Sequence, residues 1–207
     1  NTKFLSKEPM MTISLSFPLI LASASPRRKE LLRSVGLKFK IIASDIDESY
    51  IAGESPQDHV RRLSRAKAAA VANRHPKALV LGADTIVVID DLILGKPKNK
   101  KQAREMMQRL SNRRHTVFTG FTITRVFSGL SKTRVVRSDV RFKKITPEEM
   151  NWYANCSEPY DKAGGYAVQG LGAYFIKAIH GSYTNVIGLP LCETLEELQK
   201  IRTIQFR

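Results

Sequence analysis

An aspartate sits where a strand-forming sequence should have none. In Leu79-Val80-Leu81-Gly82-Ala83-Asp84-Thr85-Ile86-Val87-Val88 the neighbours are apolar or small, Thr85 excepted. Aspartate is depleted in strands, and an ionised carboxylate is costly to bury without a partner. Asp84 therefore reads as a metal ligand or general base, or else as a buried ion pair or the mark of a bulge. Gly82 ahead of it lets a backbone or a ligand approach closely.

Four further groups could do chemistry beside it. Ser23-Ala24-Ser25-Pro26-Arg27-Arg28 puts two arginines in the first turn of an expected helix. A helix N-terminus offers unpaired N–H groups and partial positive charge, and guanidinium forks suit phosphate oxygens. This is an anion site, or an ordinary capped helix with solvated cations. Asp45-Ile46-Asp47-Glu48 is a dense acidic patch in a basic chain. With Asp84 it could hold a hard divalent cation through oxygen ligands; alone it reads as a solvated loop. In Gly95-Lys96-Pro97 the proline keeps the lysine extended, so Lys96 can act as a point charge on phosphate. Lys98, Lys100 and Lys101 read as a solvated helix start. Lys67 lies among alanine and apolar positions, and either snorkels outward or reaches a buried anion. The last group is the glycine-rich run Tyr160-Asp161-Lys162-Ala163-Gly164-Gly165-Tyr166-Ala167-Val168-Gln169-Gly170-Leu171-Gly172. It lacks the Walker A order. A side-chain amide both donates and accepts, so Gln169 could read a nucleobase; otherwise this is a loop of positive-φ glycines. His59, His75, His115 and His180 show no paired spacing that would argue for zinc.

Elements must position these groups. Residues 19–22 form a short apolar run, expected as a buried strand. Ser25 as N-cap and Pro26 at the first helical position start a helix that ends near Gly36. A second strand is expected over 38–43. Ser55-Pro56 starts a helix to about Arg74, carrying Val60, Leu63, Lys67 and Val71. A long strand over 78–89 breaks at Asp90-Asp91 and returns through Leu94. Asn99 caps a helix with Ala103, Met106, Met107 and Leu110. Residues 116–127 and 133–142 read as a hairpin around Ser128-Gly129. Thr146-Pro147-Glu148-Glu149 is a capping box. A late strand over 173–179 and a final helix over 189–201 complete the pattern. Strands, helices and a hairpin together predict an α/β fold, a mixed twisted sheet flanked by helices.

Composition narrows the class. The chain has 207 residues, a formal charge of +15, 43% hydrophobic and 26% charged residues. That is a globular composition with a sizeable core, not disorder. Cys156 and Cys192 are the two cysteines, too few for a disulfide scaffold. No apolar run approaches the roughly 20 residues of a membrane span. The basic excess predicts an anionic partner. Residues 1–17 contain Lys3 and Lys7, and an apolar stretch with Ala22-Ser23-Ala24 follows, as in a secretory leader. Glu8, Pro9, Thr12, Ser14 and Ser16 interrupt that pattern, so we read 1–17 as an extension or cloning remnant and 18–207 as one domain.

In combination these segments resemble a known family. Leu21-Ala22-Ser23-Ala24-Ser25-Pro26-Arg27-Arg28, Gly82-Ala83-Asp84-Thr85, Gly95-Lys96-Pro97, Asp161-Lys162-Ala163-Gly164 with Gln169, and Gly188-Leu189-Pro190-Leu191 resemble, in order, the motifs of the Maf family. These are septum-formation-inhibitor-like nucleoside triphosphate pyrophosphatases. Each motif is weak alone; the collinear set is specific. The resemblance implies two lobes around a cleft, similar in shape to inosine-triphosphate pyrophosphatases. It implies hydrolysis of a nucleoside triphosphate to monophosphate and pyrophosphate, with Mg²⁺ or Mn²⁺, in a cytoplasmic homodimer. Asp84 matches the proton acceptor, and Glu48 the acidic residue that holds the metal with it. Ser23, Arg28, Lys67 and Lys96 match phosphate-side positions. Arg27, Thr85 and Gln169 match positions that separate subfamilies, and resemble the branch acting on the pyrimidine nucleotides dTTP and UTP. Ala24 and Gly165 depart from the family's usual Gly and Ala; neither change removes a functional side chain.

Two rival classes stand beside this reading. A basic nucleic-acid-binding protein is supported by the charge and by Arg61-Arg62, Arg113-Arg114 and Lys143-Lys144. It lacks a helix-turn-helix, zinc-finger or RNA-recognition signature, and its charges are spread along the chain. A nucleotide-sensing regulator of cell division is the other.

Overall fold

The computed structural model describes residues 13–206. The leader and extended-start readings of residues 1–12 lie outside them. Nine strands and six α-helices are described, in the order β1(Ile13–Leu15), β2(Leu19–Leu21), α1(Pro26–Ser34), β3(Phe39–Ile41), α2(Pro56–Ala72), β4(Leu79–Ile89), β5(Leu92–Leu94), α3(Lys100–Leu110), β6(Arg114–Arg125), β7(Leu130–Phe142), α4(Pro147–Ala154), β8(Ile176–His180), α5(Tyr183–Ile187), α6(Leu191–Lys200) and β9(Ile204–Phe206).

The main sheet runs β3-β2-β4-β6-β7-β8, with β5 paired to β4. Its β2–β3 and β2–β4 pairs are parallel and the rest antiparallel, so it is the mixed sheet expected. β4 is the pivot. Leu79 to Leu81 pair with β2, and Val87 to Ile89 pair with β5 through a two-residue turn. Asp90 and Asp91 take positive φ values of 50° and 59°, the turn that suits a tight hairpin. Between Leu81 and Val87, β4 is paired through β6 alone among the described residues. The sheet edge therefore has a gap, and Asp84 lies in it.

Alternation along β4 assigns its two faces. On one face Leu79, Leu81 and Ala83 pack with Leu31, Leu32, Leu189 and Leu198. Further along, Val87 and Ile89 pack with Met107, Leu110, Phe142 and Tyr153. Thr85 falls between these two cores, which are the cores of two lobes. On the opposite face Val80 packs with Ala68 and Val71, and Ile86 and Val88 with Val60. That face carries Asp84 and is covered by α2.

Local chemistry accounts for most boundaries. Ser55 Oγ accepts from Asp58 N, Asn99 from Gln102 N, and Thr146 with Glu149 completes a capping box. Three expectations are corrected. Ser25 makes no side-chain cap; Ser23 Oγ accepts from Ser25 N at 3.2 Å instead. The strand expected from 173 starts only at Ile176: Leu171–Phe175 form a 3-10 turn in which Ala173 N bonds Gly170 O. Ile13–Leu15, set apart with the extension, pairs antiparallel with Ile204–Phe206, a final strand too short for its sequence pattern to announce. No helix among the described residues is long and apolar enough to cross a membrane.

Candidate active site

The gap in the β4 edge opens into a cleft of about 390 Å³. Ser23, Arg27, Arg28, Glu48, Lys67, Asp84, Thr85, Lys96 and Gln169 all line it, so every expected site residue reaches one cavity. The cleft continues past Asp84 into a second space of about 510 Å³, walled by Tyr50, His59, Leu63, Ile86 and Leu92.

Asp84 and Lys67 meet because α2 lies unusually close to the sheet. A Cβ at Gly82 would stand 2.5 Å from Ser64 O, and one at Gly120 would stand 2.3 Å from Val60 O. Gly120 is the cross-strand partner of Asp84. Glycines are thus required at both positions for the helix to seat. Once seated, Lys67 Nζ donates to Asp84 Oδ1 at 2.8 Å and lies 3.0 Å from Glu48 Oε1. Lys67 does not snorkel outward. The ion-pair alternative raised for Asp84 holds, and the pair faces the cleft.

Glu48 arrives on the loop after β3. Arg62 of α2 fixes that loop, donating from Nη2 to Ser49 O at 3.0 Å and from Nε and Nη2 to Glu54 at 2.7 and 2.8 Å. Tyr50 OH adds a bond to Glu54 O. The acidic patch does not act as a unit: Asp47 accepts from Ser49 N and Oγ, and Glu48 pairs with Lys67, which also holds Asp84.

The donor set fits a hard divalent cation. The place between the Glu48 and Asp84 carboxylates is held by an ammonium, so it is a cation position by charge and by oxygen ligands. No cluster of three or more Asp, Glu, His or Cys among the described residues forms a complete metal cage. Two carboxylates with the remaining ligands from phosphate and water is the usual arrangement for Mg²⁺.

The opposite wall carries the cation of Arg28. Arg28 is only 8% exposed. Its Nε donates to Gly188 O at 2.8 Å, Nη1 to Ser23 Oγ at 3.1 Å and Nη2 to Thr85 Oγ1 at 3.0 Å. All three acceptors are neutral. Burial lowers its pKa from the ordinary arginine value, opposed by the charge of Asp84. Arg28 is thus a buried cation at a helix N-terminus whose direct hydrogen-bond partners are all neutral, with Asp84 as a more distant counter-charge. The Gly188-Leu189-Pro190-Leu191 motif serves this wall by presenting the Gly188 carbonyl. Thr85 Oγ1 donates to Gly188 O at 3.2 Å and accepts from Arg28 Nη2, so its hydroxyl orients Arg28 as well as lining the cleft. Lys96 and Gln169 are exposed, with no hydrogen-bond or ion-pair partner among the described residues.

Three residues named in the sequence have supporting roles here that their spacing does not give. Arg62, grouped with Arg61 as surface charge, instead holds the Glu48 loop. Lys162 lines the cleft with its ammonium on Glu158 O and Asp161. Tyr166, also in the lining, bonds His115 Nε2 through its hydroxyl at 2.7 Å.

Comparison with known proteins agrees with the resemblance. A family model described as Maf-like protein matches residues 18–201. The chain is 54% identical over 192 residues to a dTTP/UTP pyrophosphatase of Syntrophus aciditrophicus (strain SB), covering 93% of this chain and 94% of that one. It is 47% identical to one of Geotalea uraniireducens (strain Rf4), over 90% and 96% of the two chains. It is 42% identical to one of Clostridioides difficile (strain 630), over 90% and 96%. Among solved structures, the Ham1 protein of Staphylococcus aureus superposes with a TM-score of 0.44 at 14% identity, over 77% of this chain and 79% of that one. The chain belongs to the Maf-like protein family.

Proposed function

We propose that the protein hydrolyses nucleoside triphosphates, dTTP and UTP foremost, to the monophosphate and pyrophosphate. The activity is the one named for its relatives. The observation that carries the reading is the facing of two walls. One holds the Lys67–Asp84–Glu48 cluster, and the other the buried Arg28 at the α1 N-terminus.

Arg28, Lys96 and the free N–H groups of the first turn of α1 bind the triphosphate, with Ser23 anchoring the Arg28 fork. Arg27, Thr85 and Gln169 stand toward the base and sugar. Asp84 accepts the proton of a water that attacks the α-phosphorus. The new oxygen–phosphorus bond forms as the α-phosphorus to bridging-oxygen bond breaks, and pyrophosphate leaves with that electron pair. Lys67 and Lys96 offset charge that develops on the phosphoryl oxygens. Mg²⁺ or Mn²⁺, when bound by Glu48 and Asp84, would supply Lewis-acid stabilisation and a more acidic water. The reading includes a cytoplasmic homodimer, checked by sedimentation.

Pyrophosphate release with Mg²⁺ from UTP, dTTP, CTP and 7-methyl-GTP tests it. Release from UTP and dTTP above the others is expected. Release from 7-methyl-GTP alone would overturn the specificity assignment, and silence with Mg²⁺ and Mn²⁺ would overturn the activity.

A further inference from the structure

Glu158 has a role that the reaction scheme does not use. It opens a 3-10 turn, Glu158–Asp161, after α4. Its Oε1 accepts from Tyr153 OH and from Gly172 N, both at 2.8 Å. Its Oε2 accepts from Leu171 N at 2.8 Å. No cation pairs with this carboxylate among the described residues; its charge is met by two main-chain N–H groups and a buried phenol. Hydrogen bonds to a carboxylate are among the stronger ones a chain makes.

The backbone is shaped around that carboxylate. Gly170 has φ +117°, and a Cβ there would stand 2.4 Å from Glu158 Oε2. A Cβ at Gly172 would stand 2.6 Å from Ala167 O and 2.8 Å from Tyr153 OH. Two glycines in a span of three residues therefore exist for close approach, and they immediately follow Gln169. On the other side, Gly164 N bonds Gly95 O at 3.0 Å, and Tyr166 is tied to His115. The segment 164–172 is pinned at both ends, with the Gln169 side chain exposed in the cleft between the pins.

We propose that Glu158 is a positioning residue for base recognition, acting through the Gly170–Gly172 backbone to set where the Gln169 amide stands. This rests on the pyrophosphatase reading and on Gln169 facing the base. The Glu158 carboxylate accepts only; an amide at this position would turn a donor toward either Leu171 N or Gly172 N. Glu158→Gln therefore displaces the loop without emptying the space.

The test is a double-mutant cycle on discrimination. The ratio of kcat/KM for UTP over CTP is measured for the wild type, Glu158→Gln, Gln169→Ala and the double variant, with inhibition by pyrophosphate as the readout of the phosphate side. Glu158→Gln is expected to lower the ratio about tenfold, mainly through KM for UTP, and to leave pyrophosphate inhibition within about twofold. In the Gln169→Ala background the same change is expected to alter the ratio less than about twofold, as residues acting through one another do. An unchanged ratio in Glu158→Gln, or an equal effect in both backgrounds, overturns the proposal while the pyrophosphatase reading stands. A wild type without preference for UTP overturns the specificity assignment and this proposal with it, whereas a wild type that releases no pyrophosphate from any nucleotide overturns the pyrophosphatase reading. Should Glu158→Gln not fold, Glu158→Asp, which keeps the charge but draws the oxygens back from Leu171 N and Gly172 N, carries the same expectations.

Discussion

Lys67 Nζ and Asp84 Oδ1 lie 2.8 Å apart across the interface between α2 and β4, and each side chain is less than a tenth exposed. The ammonium also meets Glu48, whose side chain is 56% exposed. The pair is thus buried toward the core and open toward the cleft. Its position follows from Gly82 and Gly120, which bring the helix down onto the sheet.

Asp84→Asn keeps the shape of the side chain and removes its basicity. Pyrophosphate release is expected to fall by about 10³-fold or more, within reach of what a general base contributes. The circular dichroism spectrum should be retained, since Glu48 still partners Lys67. Steady-state assays with UTP check this, and full activity would remove Asp84 from its role.

Lys67→Met leaves two carboxylates facing each other without a cation. Mn²⁺ alone is expected to bind about tenfold or more tightly than to the wild type, because the competing ammonium is gone, while turnover falls. Calorimetric or paramagnetic Mn²⁺ titration reads the binding directly. Equal affinity in both proteins would mean that the Lys67 position is not the cation position.

Gly120→Ala forces a methyl to within 2.3 Å of Val60 O and 2.6 Å of Val60 C. Backbone cannot yield as a side-chain end can. A loss of about 3 kcal/mol is expected, at the high end for overpacking, together with reduced kcat as the helix lifts from Asp84. Gly95→Ala, with nothing within 4 Å of the added carbon, is expected to cost less than about 0.5 kcal/mol. Urea denaturation of the two variants compares them.

His115 is 2% exposed among Phe142 and Tyr166, and its Nδ1 is buried without a partner among the described residues. Burial pulls its pKa down from 6.5 to about 4. The unfolded chain then binds more protons than the folded one between those values. Stability is full above pH 6.5 and declines as pH falls toward 4, by about 3 kcal/mol. His115→Gln should flatten that window. Glu54 and Glu149, held near 2 by Arg62 and by Lys143, lose their stabilisation in a separate window below pH 4.5. Urea midpoints at pH 7, 5.5, 4.5 and 3, in the wild type and in His115→Gln, separate the two.

What could be read in the sequence was local. The Ser-Pro and Asn helix starts and the Asp90-Asp91 turn declare themselves through capping and φ, which neighbouring residues decide. Asp84 and Lys67 were legible as anomalies, a charge in an apolar strand and another in an alanine-rich helix. Their mutual contact was not, because it depends on glycines that act only once the helix lies on the sheet. Ser25 leaves the first turn of α1 uncapped, while Ser23 Oγ takes Ser25 N and Arg28 Nη1, a tertiary arrangement that local sequence does not announce. Glu158 showed no signal at all. Its partners are main-chain N–H groups, and one glutamate in a polar stretch looks like any other. β1 and β9 were too short for alternation to register, and they find each other from opposite ends of the described chain.

The gap in the edge of β4 has a mechanical side. β4, β6 and β7 run 11, 12 and 13 residues and pass unbroken from one lobe into the other. Any closing of the lobes on a bound nucleotide must then bend a ribbon of long strands instead of swinging about a loop. Residues 82–86 of that ribbon lack a neighbouring strand on one side and are covered by α2 on one face. The two walls of the cleft are therefore joined by continuous strands and not by a loop.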